Sequence, residues 1–103
     1  MRLRALAPAK VNLSLFLGGT RADGRHRLVT LFESLSLADT VELEVVDGPG
    51  DQVVCPGVEG ENLATRALVG LRARGWDAPA VRVAIEKRIP LAAGMAGGSA
   101  DAA

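Results

Sequence analysis

The stretch VRVAIEKRIPLAAGMAGGSADAA, Val81 to Ala103, decides how the rest of the chain is read. Val81, Val83 and Ile85 alternate with Arg82, Ala84 and Glu86, the period of two that a half-buried strand requires. Pro90 ends the strand, Gly94, Gly97 and Gly98 cluster after it, and Ser99 onward reads as a helix start. Two physical readings of this strand–glycine–helix unit stay open. One is a tight, closely packed turn in which Ser99 caps the helix. The other is an anion cradle. The first amides of a helix have no intrahelical partner, the dipole adds positive charge there, and glycine lets a ligand approach the backbone. No Lys-Ser or Lys-Thr follows the glycines, and their spacing does not fit a dinucleotide fingerprint. Asp101, placed in the first helical turn, would repel a phosphate it faced. It is expected to point away or to act through a metal.

Upstream, Asn62 is a plausible N-cap. Leu63, Ala67 and Leu71 form an apolar stripe, widened by Ala64 and Leu68, with Arg66, Arg72 and Arg74 on the wet side. Gly75 stops this helix. Further upstream the pattern is β. Val11, Leu13, Leu15 and Leu17 alternate with Asn12, Ser14 and Phe16 until Gly18-Gly19. A polar loop with an Asp23-Gly24 turn follows. Leu28 to Leu37 is β-compatible, Asp39-Thr40 breaks it, and Val41, Leu43 and Val45 resume as a strand with one wet face. Val53-Val54 is a short strand. The expected fold is α+β: two layers, a mostly antiparallel sheet with helices on one face.

The 103 residues suffice for one domain and are too few for two, so residues 1–103 are read as one unit. Lys plus Arg balances Asp plus Glu at 12 each, so no global field favours nucleic acid or an anionic membrane, and any anion site must be local. The single Cys55 excludes an intrachain disulfide and reads as a small, partly buried side chain. Arg2 and Arg4 precede apolar residues, but Lys10, Asn12 and Ser14 interrupt that run as no signal peptide would. A soluble cytoplasmic protein is expected. Oligomeric state is not legible.

In an extended strand Lys10, Asn12 and Ser14 share one face. The residues alone fit either a solvated strand face or a point charge and an amide held rigidly for phosphoryl transfer.

APAKVNLSLFLGGTRADGRHRLVTLFESLSLADT, ENLATRA and IEKRIPLAAGMAGGSADAA, in that order and at this spacing, resemble the GHMP kinase superfamily. PAKVN with RADGRH is closest to its members acting on a cytidine-diphosphate-linked methylerythritol. The resemblance implies transfer of the ATP γ-phosphate to that substrate's tertiary 2-hydroxyl, in isoprenoid precursor synthesis. It implies that the backbone of Gly94, Met95, Ala96, Gly97, Gly98 and Ser99 holds the ATP phosphates, with Pro90 at the loop's entrance. Mg²⁺ would assist through Ser99. Lys10 would be catalytic, beside the acceptor hydroxyl and a carboxylate. Asn12 would face the substrate, and His26 and Arg25 its cytosine, with Arg25 standing where many relatives carry an aromatic. Asn62, Leu63 and Lys87 would lie near the adenine. Ala92, Ala93 and Ala96 stand where relatives often have glycine, and Ala96 fits the loop only at negative φ. The family's fold carries a left-handed β-α-β crossover, against the general right-handed rule. The chain is expected to hold part of the N-terminal domain only, without the second domain or the carboxylate base, and so to be inactive alone. Another small-molecule kinase of the superfamily, or a non-catalytic binding module of the same fold, is the alternative.

Overall fold

The alternating segments build a four-stranded sheet, ordered β1-β2-β4-β3. In the computed structural model, which describes residues 1–92 and 94–103, the elements are β1 (Arg2–Thr20), β2 (His26–Val45), β3 (Gln52–Val54), α1 (Leu63–Ala73), β4 (Val81–Glu86) and α2 (Gly97–Ala102). Ala93, one of the three alanines noted above, lies outside the described residues. β1 pairs with β2 and β2 with β4 antiparallel, while β3 pairs with β4 in parallel through the intervening α1. The fold is thus α+β with a mostly antiparallel sheet. Among the described residues no helix is long and apolar enough to cross a membrane.

The core forms where the best alternation meets the helix. Val81, Val83 and Ile85 of β4 pack with Ala64 and Leu68 of α1, and Val41, Leu43 and Val45 of β2 flank them. Each buried Val, Ile or Leu side chain contributes about 1.5–3 kcal/mol through removal of its apolar surface from water. Asn62 caps α1, its Oδ1 accepting from the Ala64 amide at 2.9 Å. Gly75 closes the helix at φ +92. Its N–H bonds Arg72 O while Trp76 N–H bonds Leu71 O, a Schellman stop.

Four expectations are corrected. The β1 strand continues through Gly18 and Gly19 to Thr20. At Gly18 a Cβ would stand 3.0 Å from Arg27 Cβ, so this glycine serves close cross-strand approach. Asp39-Thr40 does not break β2; the strand runs through both, which are 0% and 3% exposed. The stripe on α1 is centred on Ala64 and Leu68, leaving Leu63 and Leu71 exposed. Arg72 is not on the wet side: it is half-buried and clipped to Asp51.

Register shifts interrupt β1 between Pro8 and Lys10, between Asn12 and Ser14, and between Leu17 and Thr20. Pro8 is tolerated because β1 is an edge strand. The second shift ends the period-two count, so Lys10 and Asn12 keep one phase and Ser14 falls outside it.

Candidate functional site

The glycine loop is held by its two neighbours, β1 and β4. The backbone N–H of Lys10 donates to Met95 O at 3.1 Å, and Lys10 Nζ donates to Gly94 O at 3.1 Å. Behind the loop, Ile89 is 2% exposed and anchors it to the core. Among the described residues, no amide from Gly94 to Ser99 donates to a backbone carbonyl. Gly94 has φ +75 with open space where a Cβ would stand. Together Leu63, Lys87, Pro90, Ala92 and the loop from Gly94 to Ser99 line a cleft of about 200 Å³.

Local geometry departs from the sequence reading at three positions. Ala96 has φ +56, not a negative value, and occupies the N-cap position in the left-handed conformation. The helix therefore begins at Gly97, and Ser99 is its third residue rather than its cap. Asp101 falls beyond the first turn and points inward. Gly97 owes its identity to packing: a Cβ there would stand 3.0 Å from Ile89 Cγ2 and 3.1 Å from Lys87 Nζ.

Directly behind Gly97 lies a buried charge cluster. Lys87 Nζ donates to Asp39 Oδ2 at 2.6 Å and to Asp101 Oδ2 at 2.9 Å. Asp39 Oδ1 also accepts from the amides of Arg88 and Ile89, at 2.6 and 2.8 Å. Burial alone would raise the Asp39 pKa, but the Ile89 amide, the Lys87 ammonium, Asp101 and the Arg88 amide hold it down at about 2. Asp101 is pushed up, chiefly by burial. Burial opposes the charge on Lys87 too, but the two carboxylates outweigh it and raise its pKa. Lys87, expected beside the adenine, thus spends its ammonium inside the protein. Asp39 was not a candidate from sequence. The signal was there in its phase: Leu35, Leu37, Asp39, Val41, Leu43 and Val45 keep one parity without interruption.

The other predicted residues lie apart. Asn12 is exposed, and its Oδ1 accepts from the Thr30 hydroxyl at 3.1 Å. His26 opens β2 opposite Thr20, and Arg25 lies in the turn before it, where its amide donates to Asp23 Oδ1. Ten residues of strand, with two register shifts among them, separate Lys10 from that end, a path of at most roughly 33 Å along the chain. Asn62, occupied as a cap, lines a second cleft with Cys55, Pro56, Val58 and Thr65. Burial pushes the Cys55 thiol up, which fits a small core side chain rather than a reactive one. Among the described residues no three His, Cys, Asp or Glu side chains group as a metal site.

The strand–loop–helix geometry has a counterpart in known proteins. A family described as GHMP kinases N terminal domain matches residues 62–103, the segment that runs from the α1 cap through the glycine loop. That match makes the segment from Asn62 to Ala103 similar to the N-terminal domain of the GHMP kinases. Among relatives, 4-diphosphocytidyl-2-C-methyl-D-erythritol kinase of Saccharopolyspora erythraea is 51% identical over 93% of this chain and 33% of the relative. The protein of the same name from Anaeromyxobacter sp. (strain K) is 50% identical over 100% of this chain and 34% of the relative. A crystal structure of 4-(cytidine 5'-diphospho)-2C-methyl-D-erythritol kinase superposes with a TM-score of 0.75 at 47% identity, covering 97% of this chain and 37% of that one. The chain spans about a third of the length of the curated relatives it matches. Within this chain, the structure brings together Lys10, Leu63, Lys87, Pro90 and the loop from Gly94 to Ser99. It leaves Asn12, Arg25 and His26 along the hairpin arm.

Proposed function

We propose that residues 1–103 form part of the N-terminal domain of a cytoplasmic kinase. This enzyme transfers the γ-phosphate of ATP to the 2-hydroxyl of 4-diphosphocytidyl-2-C-methyl-D-erythritol, a step toward isoprenoid precursors. The observation that carries the reading is the meeting of Lys10 with the glycine loop: its ammonium bonds Gly94 O, and among the described residues the amides from Gly94 to Ser99, which line the adjoining cleft, donate to no backbone carbonyl. The amides of Gly94, Met95, Ala96, Gly97, Gly98 and Ser99 would hydrogen-bond the phosphate oxygens, and Gly94 leaves the space for close approach. Lys10 would neutralise charge and orient the acceptor hydroxyl. Its present acceptor, Gly94 O, is exposed and readily exchanged for a ligand oxygen.

Leu63 and Pro90 would bound the nucleotide on its apolar side, and Asn62 the adjoining cleft. Asn12 would contact the acceptor substrate, with His26 and Arg25 toward its cytidine end. Ser99, exposed in the first turn of α2, fits a divalent cation that keeps most of its water and phosphate ligands, as Mg²⁺ does. Bound Mg²⁺ would supply charge neutralisation of the transferring phosphoryl group.

Among the described residues no carboxylate pairs with Lys10, since Asp39 and Asp101 are both committed to Lys87. A phosphoryl acceptor beside Lys10 would lack a base here. Loss of one member of a catalytic unit costs roughly 10³ or more in rate. Residues 1–103 by themselves are therefore expected to turn over about a thousandfold or more slower than an intact relative. The test has two parts. ATP titrated into the chain should perturb the amides of residues 94–99, and Lys10→Ala should weaken that response about tenfold. Turnover near that of an intact relative, or ATP shifts confined to other residues, would refute the reading. A panel of alcohol substrates on a full-length protein carrying this segment separates this enzyme from other small-molecule kinases of the superfamily.

A further inference from the structure

The loop is tied at its front to Lys10, and its rear lies against a second lysine with a different task. Lys87 Nζ is held between Asp39 of β2 and Asp101 of α2, at 2.6 and 2.9 Å. Its side chain is 14% exposed, and those of the two carboxylates 0% and 1%. The same Nζ would stand 3.1 Å from a Cβ on Gly97, so the ammonium abuts the first residue of α2. Asp39 is itself fixed by two amides of the β4 exit, those of Arg88 and Ile89. Three pieces of chain that are remote in sequence thus converge on one nitrogen: the middle of β2, the segment leaving β4, and α2. We propose that Lys87 is a positioning residue for the loop from Gly94 to Ser99, acting through Asp101 to set where α2, and hence the loop, sits relative to Lys10. The proposal deepens the nucleotide-site reading and rests on it.

A strut of this kind has a distinctive signature. Asp101→Ala severs Lys87 from α2 but leaves the Lys87–Asp39 pair intact, so no charge is stranded. The variant should remain folded while the loop shifts. Asp101→Asn retains an oxygen acceptor for the ammonium and should restore the loop. Circular dichroism, amide chemical shifts of residues 94–99 and ATP titration on the 103-residue chain read the outcome. The expected result is that Asp101→Ala keeps its helix and strand signal, moves the Gly97, Gly98 and Ser99 resonances, and binds ATP about tenfold more weakly. Asp101→Asn should match the unmodified chain within twofold. A folded Asp101→Ala chain with unshifted amides and unchanged ATP affinity overturns the proposal, as does an Asp101→Asn chain that is no better than Asp101→Ala. If Asp101→Ala fails to fold, Asp101→Ser takes its place, since a hydroxyl is too short to span to Lys87. If the unmodified chain does not bind ATP, the nucleotide reading fails. The positioning role is then judged by the amide shifts of the ligand-free variants alone.

Discussion

Ala96 and Gly97 are adjacent and make opposite demands. Ala96 sits at φ +56, where a Cβ is strained, while Gly97 has an ordinary φ but no room for a Cβ. Ala96→Gly should therefore stabilise the chain by about 0.5–1 kcal/mol, the relief of left-handed strain less the extra freedom of the unfolded state. Gly97→Ala should destabilise it by about 1–3 kcal/mol, because Ile89 is buried and cannot yield freely. Denaturant midpoints of the two variants test both signs. Asp39 is the other decisive residue. Asparagine there keeps one acceptor for three donors, so Asp39→Asn should cost about 3–5 kcal/mol by chemical denaturation. Its acid linkage has a definite sign. A carboxyl held at about 2 when folded stabilises above its ordinary range, and that stability is lost as pH falls from about 4 toward 2. Asp101, raised by burial, weighs the opposite way from ordinary carboxylate pH upward. The Asp39→Asn chain should lack the steep loss between pH 4 and 2 that the unmodified chain shows. Sequence reading took Asp39 for a break because an aspartate in a strand disfavours it locally. Three donors from one distant segment, Lys87, Arg88 and Ile89, reverse that preference, and no local rule contains them.

At the scale of elements, the order and type of most pieces were legible where their chemistry is local. Asn62 and Gly75 bracket α1 because a cap and a left-handed stop each involve only a few neighbouring residues. The phase of the α1 face was less legible: Leu63, Ala67 and Leu71 fit the helical period as well as Ala64 and Leu68 do. The start of α2 was misplaced because an alanine in the left-handed conformation carries no sequence mark. Arg72 shows how tertiary partners override an exposed-face reading. It bonds both Asp51 oxygens, reaches the carbonyls of Trp76, Ala78 and Pro79, and lies 4.2 Å from the Trp76 ring centroid. Arg72 in turn pulls the Asp51 carboxyl below its ordinary range. The fork is what joins the end of α1 to the segment that starts β4. An ammonium cannot span those partners, so Arg72→Lys should cost about 2 kcal/mol or more, whereas Arg66→Lys on the exposed face should stay within about 0.5 kcal/mol. Thermal unfolding of the pair measures the difference.

For the molecule as a whole, the radius of gyration is 16.0 Å, against roughly 13 Å for a compact chain of this length. The excess lies in the β1–β2 arm. Along it, Leu15, Leu17 and Leu28 share one face of the hairpin, and Phe16 and Val29 pair on the other. All five are 51–71% exposed. Alternation in β1 correctly signals a strand, but periodicity reports backbone phase, not whether anything covers the apolar side. Unlike Val81, Val83 and Ile85, these residues have no helix packed over them in the described chain. Apolar surface on this scale promotes association. The chain should therefore self-associate as its concentration rises, read by sedimentation velocity or light scattering. A lysine at one exposed position on each face, Leu17→Lys with Val29→Lys, should suppress association while shifting the denaturation midpoint little, since neither side chain is buried. If the doubly substituted chain associates as strongly as the unmodified one, the arm is not the cause. The apolar groove between α1, α2 and the sheet, lined by Leu3, Ala5, Leu68, Leu71 and Ala103, is then the surface to alter next.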